Sequence, residues 1–426
     1  MRRETALALC GLAAAFAVTL WLDPWADDRV NDLFVYRSFA APVLDGSLPY
    51  RDVFLEYPLL AIPAIALPGL AGSGESAFRL AFAGWTLLLA AAVLLLCAAL
   101  ADRTGGDRRR ALLAVAAAPL LCGAMIRTHF DLAPVALTLA ALLLLVRERP
   151  RAGLTVLGAA VMTKGFPLVV APIALAWLAG RGERRRAVEA ALALAVVVAA
   201  LAALTLAVSP SGASRALSHQ LERPVQVESS PAMVVLGLDG LGAGRAESVE
   251  SHRSDGLEHP AAGLLVAVFD IALLGVLVLL AAGAARRPDP RSLVLASLAA
   301  VAAFAVLGKV LSPQYLIWTL PLGALALAWG ERAIAAAIGT ATALTLIEFP
   351  SRYFDLVARD PLPVALVALR DAVLLGALVL ALRALQLQAP GRRIWCMALA
   401  RPSAPASTST ALSQGSSSEV SKRTLV

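Results

Sequence analysis

Of 426 residues, 59% are hydrophobic and only 16% charged, whereas a soluble domain has about 45–50% apolar and about 25% charged residues, so a soluble globular fold is excluded. The net charge of +7 does not point to nucleic acid, because the basic residues sit in short clusters between apolar runs, where they orient a membrane protein. Cys10, Cys97 and Cys122 lie inside apolar runs, and none pairs with another or with Cys396 in a CxxC motif, which leaves neither a disulfide framework nor a zinc site.

The first run follows Met1-Arg2-Arg3 and ends at Leu22. Asp23, Pro24 and Trp25 come next, with no small-residue cleavage site, so this run is expected to stay as an uncleaved helix. Further runs cover 77–100, 111–127, 130–146, 152–163, 165–180, 188–208, 262–284, 292–308, 313–329, 331–347 and 364–386. The fold class is therefore an all-α polytopic membrane protein with about twelve transmembrane helices. The pair within 152–180 is short for two crossings. It reads either as one hairpin dipping into the membrane or as two tilted helices broken near Gly165.

With the N-terminus in the cytoplasm, the arginine clusters at 103–110, 147–151, 181–186 and 286–291 all fall inside. Basic residues then exceed acidic ones by about 14 inside, and acidic exceed basic by about 7 outside, as the positive-inside rule requires. The same parity makes 58–70 non-spanning, a re-entrant or surface-lying piece of the first outer loop. Residues 1–386 form the transmembrane domain, with outer loops at 23–76, 209–261 and 348–363. Residues 387–426 form a cytoplasmic tail, rich in Ser, Thr, Ala and Pro and disordered from about 401.

The outer face holds nearly all the chemical variety. Asp23, Asp27, Asp28, Asp32, Asp45, Asp52 and Glu56 crowd the first loop. Asp27, Asp28 and Asp45 read as charge balance in a solvated loop. Asp32 and Glu56 sit among aromatic and apolar neighbours, where partial desolvation raises a carboxylate toward general-base strength. On a helix, Asp32 and Tyr36 share a face. Arg127, His129, Lys164 and Lys309 occupy outer hairpin tips against the positive-inside trend. They read either as snorkelling groups or as a set converging on a lipid phosphate, which they would stabilise as a leaving group. Within the second loop a polar segment runs from His219 through Glu222, Arg223, Gln226 and Glu228 to Ser230 and Pro231. It is dense enough in polar groups to bind a sugar, though an ordinary exposed loop has the same composition. Neither a GxGxxG, a P-loop nor an HExxH motif is present. The expected donor is therefore carried by a lipid and not by a cytosolic nucleotide.

These segments carry a resemblance. Asp32-x3-Tyr36, Gly46-x2-Pro49-Tyr50-x-Asp52 and Glu56-Tyr57-Pro58 resemble the first outer loop of the polyprenol-phosphate-mannose-dependent mannosyltransferases of glycosyltransferase family 87, in the glycosyltransferase C superfamily. Lys164-Gly165-Phe166-Pro167, Arg223-Pro224-x-Gln226-x-Glu228-Ser229 and Ser312-Pro313-Gln314-Tyr315-x2-Trp318 resemble three further family motifs in order. Leu59 departs from the pattern, where a second proline is common.

The resemblance implies an inverting hexosyltransferase in the cell membrane. Mannose would move from a polyprenyl-phosphate donor to a glycolipid or cell-envelope glycan on the extracytoplasmic face. It makes Asp32 the catalytic base and Lys164, Arg127, His129 and Lys309 the donor-phosphate groups. Tyr36, Asp52, Glu56, Tyr57, Arg223, Gln226, Glu228, Gln314 and Tyr315 would shape the acceptor or sugar site. The partners would be these two substrates and membrane lipids, with no nucleic acid. No cofactor is required, and no metal ligand is assigned, although the paired carboxylates leave room for a divalent ion. Two other readings stay open: a transporter or flippase of lipid-linked sugars, which would place polar residues at mid-bilayer, and a glycosyltransferase C enzyme using an arabinosyl or glucosyl donor.

Overall fold

The computed structural model describes residues 3–72 and 74–387. Residues Met1–Gln386 form one compact unit. The expectations for the tail, and Cys396 within it, fall outside the described residues.

Each apolar run becomes a helix, as its Ala- and Leu-rich composition favours. In chain order the helices are α1 (Arg3–Trp21), α2 (Leu33–Leu44), α3 (Ala61–Ala66), α4 (Glu75–Arg103), α5 (Arg108–Cys122) and α6 (Met125–Thr128). Next come α7 (Leu132–Val146), α8 (Pro150–Thr163), α9 (Val170–Gly180), α10 (Arg184–Val208), α11 (Pro210–Leu221) and α12 (Ser230–Gly240). The last are α13 (Ala262–Arg286), α14 (Pro290–Leu307), α15 (Leu316–Ala328), α16 (Arg332–Glu348), α17 (Tyr353–Val357) and α18 (Pro361–Leu387).

Among the described residues, six helices are long and apolar enough to cross a membrane: α1, α4, α10, α13, α14 and α18. The runs of α5, α7, α8, α9, α15 and α16 give helices of only 11–17 residues, short of the roughly 20 that a perpendicular crossing needs. The break expected near Gly165 is present. Lys164 leaves α8 in an extended conformation, and Phe166–Val169 forms a 3-10 turn before α9. Segment 58–70 is likewise too short to cross, forming α3 and a second 3-10 turn, Leu67–Ala71.

Two features separate core from periphery. Helix α14 is enclosed, with 83% of its apolar window buried, whereas α10 and α13 bury only 6% of theirs. Val188, Leu192, Val196, Ile271, Leu274 and Val278 are exposed on those two helices. Apolar side chains left uncovered on long helices are suited to a hydrocarbon solvent and costly in water. With this surface, the chain is a membrane protein.

The chain is mostly helical, with one small sheet. Within residues 209–261, β1 (Val225–Gln226), β2 (Glu247–Ser251) and β3 (Ser254–Glu258) form an antiparallel sheet in the order β1-β3-β2, with Val225 opposite Leu257 and Gln226 opposite Gly256. The long helices also carry charge away from their ends. Arg370 and Asp371 lie well inside α18, both buried, and Asp270 lies inside α13. Hydropathy averaged over an apolar run hides such a pair.

Candidate active site

Asp32 occupies the N-cap position of α2, yet its side chain caps nothing. The neighbouring Asn31 carboxamide oxygen takes the Leu33 N–H instead, at 2.9 Å. This leaves the Asp32 carboxylate, 32% exposed, free for other partners. One turn along, the buried Tyr36 hydroxyl donates to Asp32 Oδ2 at 3.0 Å. Burial, and next the Asp32 charge, hold the Tyr36 phenol well above its ordinary pKa, so it remains a donor.

His129 Nε2 lies 3.6 Å from the same carboxylate oxygen. Its other ring nitrogen, Nδ1, is 3.2 Å from the Met125 carbonyl and 3.0 Å from Thr128 Oγ1. The Thr128 hydroxyl proton is already given to the Ala124 carbonyl, and carbonyls only accept. Nδ1 therefore carries the hydrogen, and Nε2 faces Asp32 as the site for a second proton.

Lys164 sits where α8 breaks. Its ammonium is 2.7 Å from Asp131 Oδ1, and the Trp318 indole N–H donates to the same oxygen at 2.5 Å. Four rings surround the ammonium, with centroids 4.9 Å (Phe130), 5.4 Å (Trp318), 5.6 Å (Tyr315) and 5.9 Å (Tyr57) away. Tyr315, Trp318 and Phe166 stack in series at 3.8 and 4.0 Å. Asp131 itself is fully buried, and its Oδ2 has no hydrogen-bond partner. Nothing in the sequence assigns Asp131 a role. Among the charges acting on Tyr315 are Lys164, Arg223, Asp131 and Asp32, so these groups share one electrostatic neighbourhood.

Arg127 does not present its charge to a ligand in this structure. Its guanidinium donates to the Thr19 carbonyl (2.7 Å), the Ala26 carbonyl (3.0 Å) and Asp28 Oδ2 (2.8 Å), so all three nitrogens are engaged. Arg79 joins the same Asp28 oxygen at 2.5 Å. Asp28 thus does more than balance charge: it ties the first outer loop to α4 and α6. Lys309 stands apart from Lys164. Its ammonium donates to the Leu221 carbonyl at 2.6 Å, and burial lowers its pKa.

Glu56 is buried against the second loop. Its Oε2 is 2.6 Å from His219 Nε2, its Oε1 is 3.7 Å from Arg253, and its carbonyl accepts from Gln220 at 3.1 Å. His252 packs on His219 with ring centroids 4.9 Å apart. His252 and Arg253 form the β2–β3 turn with φ of 53° and 54°, a conformation that usually selects Asn and Gly. This strain brings both side chains onto the Glu56–His219 pair. Asp52 is not part of it. It pairs with Arg51 at the exposed rim and takes the Leu48 N–H, which lowers its pKa.

Gln226 and Glu228 lie deeper. The Gln226 carboxamide both donates to Ser312 Oγ (3.1 Å) and accepts from it (3.2 Å), and also donates to Glu228 Oε2 (3.2 Å). Burial first, and the nearby Glu348 second, raise the Glu228 carboxyl well above its ordinary pKa. Two sequence motifs, Arg223–Ser229 and Ser312–Trp318, are thereby bonded to each other. Gln314 sits in the 3-10 turn Pro313–Tyr315 that leads into α15, half-buried beside the stacked Tyr315. Among the described residues, no group of three His, Cys, Asp or Glu side chains is placed to hold a metal ion.

No curated protein matches this chain in sequence. Its fold is similar to the oligosaccharyltransferase of Archaeoglobus fulgidus. The apo form of that enzyme gives a TM-score of 0.43 at 12% identity over 92% of this chain and 60% of the other. Its complex with zinc and sulfate gives 0.39 at 14% identity over 88% and 53%. The chain thus spans little more than half the length of these structures. The sequence profile of glycosyltransferase family 87 matches residues 54–313, more than half of the chain. The chain belongs to glycosyltransferase family 87.

Proposed function

We propose that this enzyme transfers a hexose, mannose in the first instance, from a polyprenyl-phosphate donor to a hydroxyl of a glycolipid or cell-envelope glycan on the extracytoplasmic face. The observation that carries the reading is the pairing of two sites. Asp32 is an accessible carboxylate released from helix capping and set beside His129 Nε2. Lys164 is a cation walled by aromatic rings in the same electrostatic neighbourhood.

In the proposed reaction, Asp32 takes the acceptor hydroxyl proton as that oxygen bonds to the anomeric carbon. The bond from that carbon to the phosphate oxygen breaks, and its electron pair leaves on the lipid phosphate. Attack opposite the leaving group inverts the centre. His129 shares the proton that Asp32 receives. Lys164, with the half-buried Arg223 whose Nε has no partner, stabilises the departing phosphate. Tyr57 and Tyr315 offer flat apolar faces to a sugar ring. Arg127 serves this site by fixing the first loop. Both termini are assigned to the cytoplasm, following the arginine clusters.

The test is a transfer assay with radiolabelled polyprenyl-phosphate-mannose and membranes enriched in this protein, followed by product analysis. Label appearing in a glycolipid or glycan only when the protein is present supports the reading. No transfer to any membrane or glycan acceptor, with the protein folded, overturns it.

A further inference from the structure

Arg370 is a full positive charge placed ten residues into α18 with 1% of its side chain exposed. Guanidinium stays protonated in proteins, so something must hold it there. Its Nε donates to Asp371 Oδ1 at 2.9 Å, and Nη2 donates to the main-chain carbonyl of Glu228. Nη1 lies 3.9 Å from Glu228 Oε1. The adjoining Asp371 Oδ2 accepts from Ser230 Oγ at 3.1 Å. Two consecutive residues of α18 thus grip Glu228 and Ser230.

The gripped strip is short: β1 pairs with β3 over two residues, and Ser229 caps α12. The Gln226 N–H donates to the Lys309 carbonyl at 3.0 Å, the Val227 N–H to the Asp255 carbonyl at 3.1 Å, and the Gln226 side chain bonds Ser312. Lys309 and Ser312 lie in the loop between α14 and α15, and Asp255 lies in β3, the central strand of the small sheet. Arg370 and Asp371 connect the strip to the long helix α18 through charged side chains. A buried guanidinium bonding a backbone carbonyl fixes that carbonyl in position, because moving it would leave the charge unsatisfied.

We propose that Arg370 is a positioning residue for sugar transfer: it clasps the backbone at Glu228 and so holds Arg223 and Gln226, and through them the 309–315 turn with Tyr315, against the site around Lys164. This role rests on the proposed glycosyl transfer. Arg370 touches neither substrate and acts through the strip.

The test uses the full chain, purified, with Arg370→Met and Asp371→Asn combined. Removing both charges together avoids stranding a buried carboxylate and is close to neutral for stability. The carboxamide introduced by Asp371→Asn keeps an oxygen that accepts from Ser230, while the Glu228 carbonyl loses its donor. Two readouts are expected to move while the unfolding midpoint stays near wild type. Amide exchange at Gln226, Val227 and Ser229 quickens by about tenfold or more with α14 unchanged. The kcat/KM for transfer falls by about tenfold or more, chiefly through KM. Wild-type exchange in the strip overturns the proposal, as does faster exchange with wild-type kinetics. If the double variant does not fold, Arg370→Lys decides by the same readouts: intermediate values support the clasp and wild-type values overturn it. If the unaltered protein transfers no sugar from polyprenyl phosphate, the functional reading fails, and the exchange result alone still decides whether Arg370 holds the strip.

Discussion

At Asp131 one carboxylate oxygen takes both the Lys164 ammonium and the Trp318 indole N–H. Removing Lys164 alone would strand a fully buried carboxylate. Lys164→Met is therefore expected to destabilise the protein by roughly 3–5 kcal/mol, read as a lower unfolding midpoint. The double variant Lys164→Met/Asp131→Asn should recover most of that stability, yet its transfer rate should stay roughly 10²–10³-fold down. Recovery of activity together with stability would mean that Lys164 is structural only. The sequence made Lys164 legible because a cation at an outer hairpin tip runs against the charge bias. Asp131 was not legible, because its partners are 33 and 187 residues away and no spacing encodes them. For the same reason Arg127 looked like a ligand group: only tertiary structure brings Asp28 and the carbonyls of Thr19 and Ala26 to it.

The second outer loop shows where an element was hidden. A two-residue strand, Val225–Gln226, has no periodicity to read, and its partner lies some thirty residues on. The helix break at Lys164–Gly165 was legible, since Gly-Phe-Pro interrupts an apolar run. The strip at 223–230 also has a pH signature. The Glu228 carboxyl is raised from 4.5 in the folded state, mainly by burial. As pH rises above that value the unfolded chain loses its proton first, so rising pH favours unfolding. Stability from Glu228 is present below its unfolded pKa and is lost as pH climbs toward the folded one. Unfolding midpoints measured between about pH 5 and pH 8 should fall with pH in the wild type and fall less in Glu228→Gln. An equal slope in both proteins would remove Glu228 from this account.

For the molecule as a whole, the apolar runs gave the helices because a bilayer demands length and hydrophobicity that composition alone reveals. Lengths were less legible: six of the runs end as helices of 17 residues or fewer, cut by Pro, Gly and polar tips. The orientation argued from arginine clusters predicts that a cysteine placed at the exposed position 165 reacts with an impermeant reagent added outside intact cells, whereas one at 185 reacts only after permeabilisation. The reverse pattern would put the site on the cytoplasmic face. The account rests most heavily on Asp32, whose carboxylate is spared from capping α2 and stands beside His129. Its direct test compares purified wild type and Asp32→Asn for transfer from polyprenyl-phosphate-mannose, with donor binding measured on the same samples. The account predicts transfer reduced by about 10²–10⁴-fold with donor binding nearly intact; wild-type turnover by Asp32→Asn would contradict it.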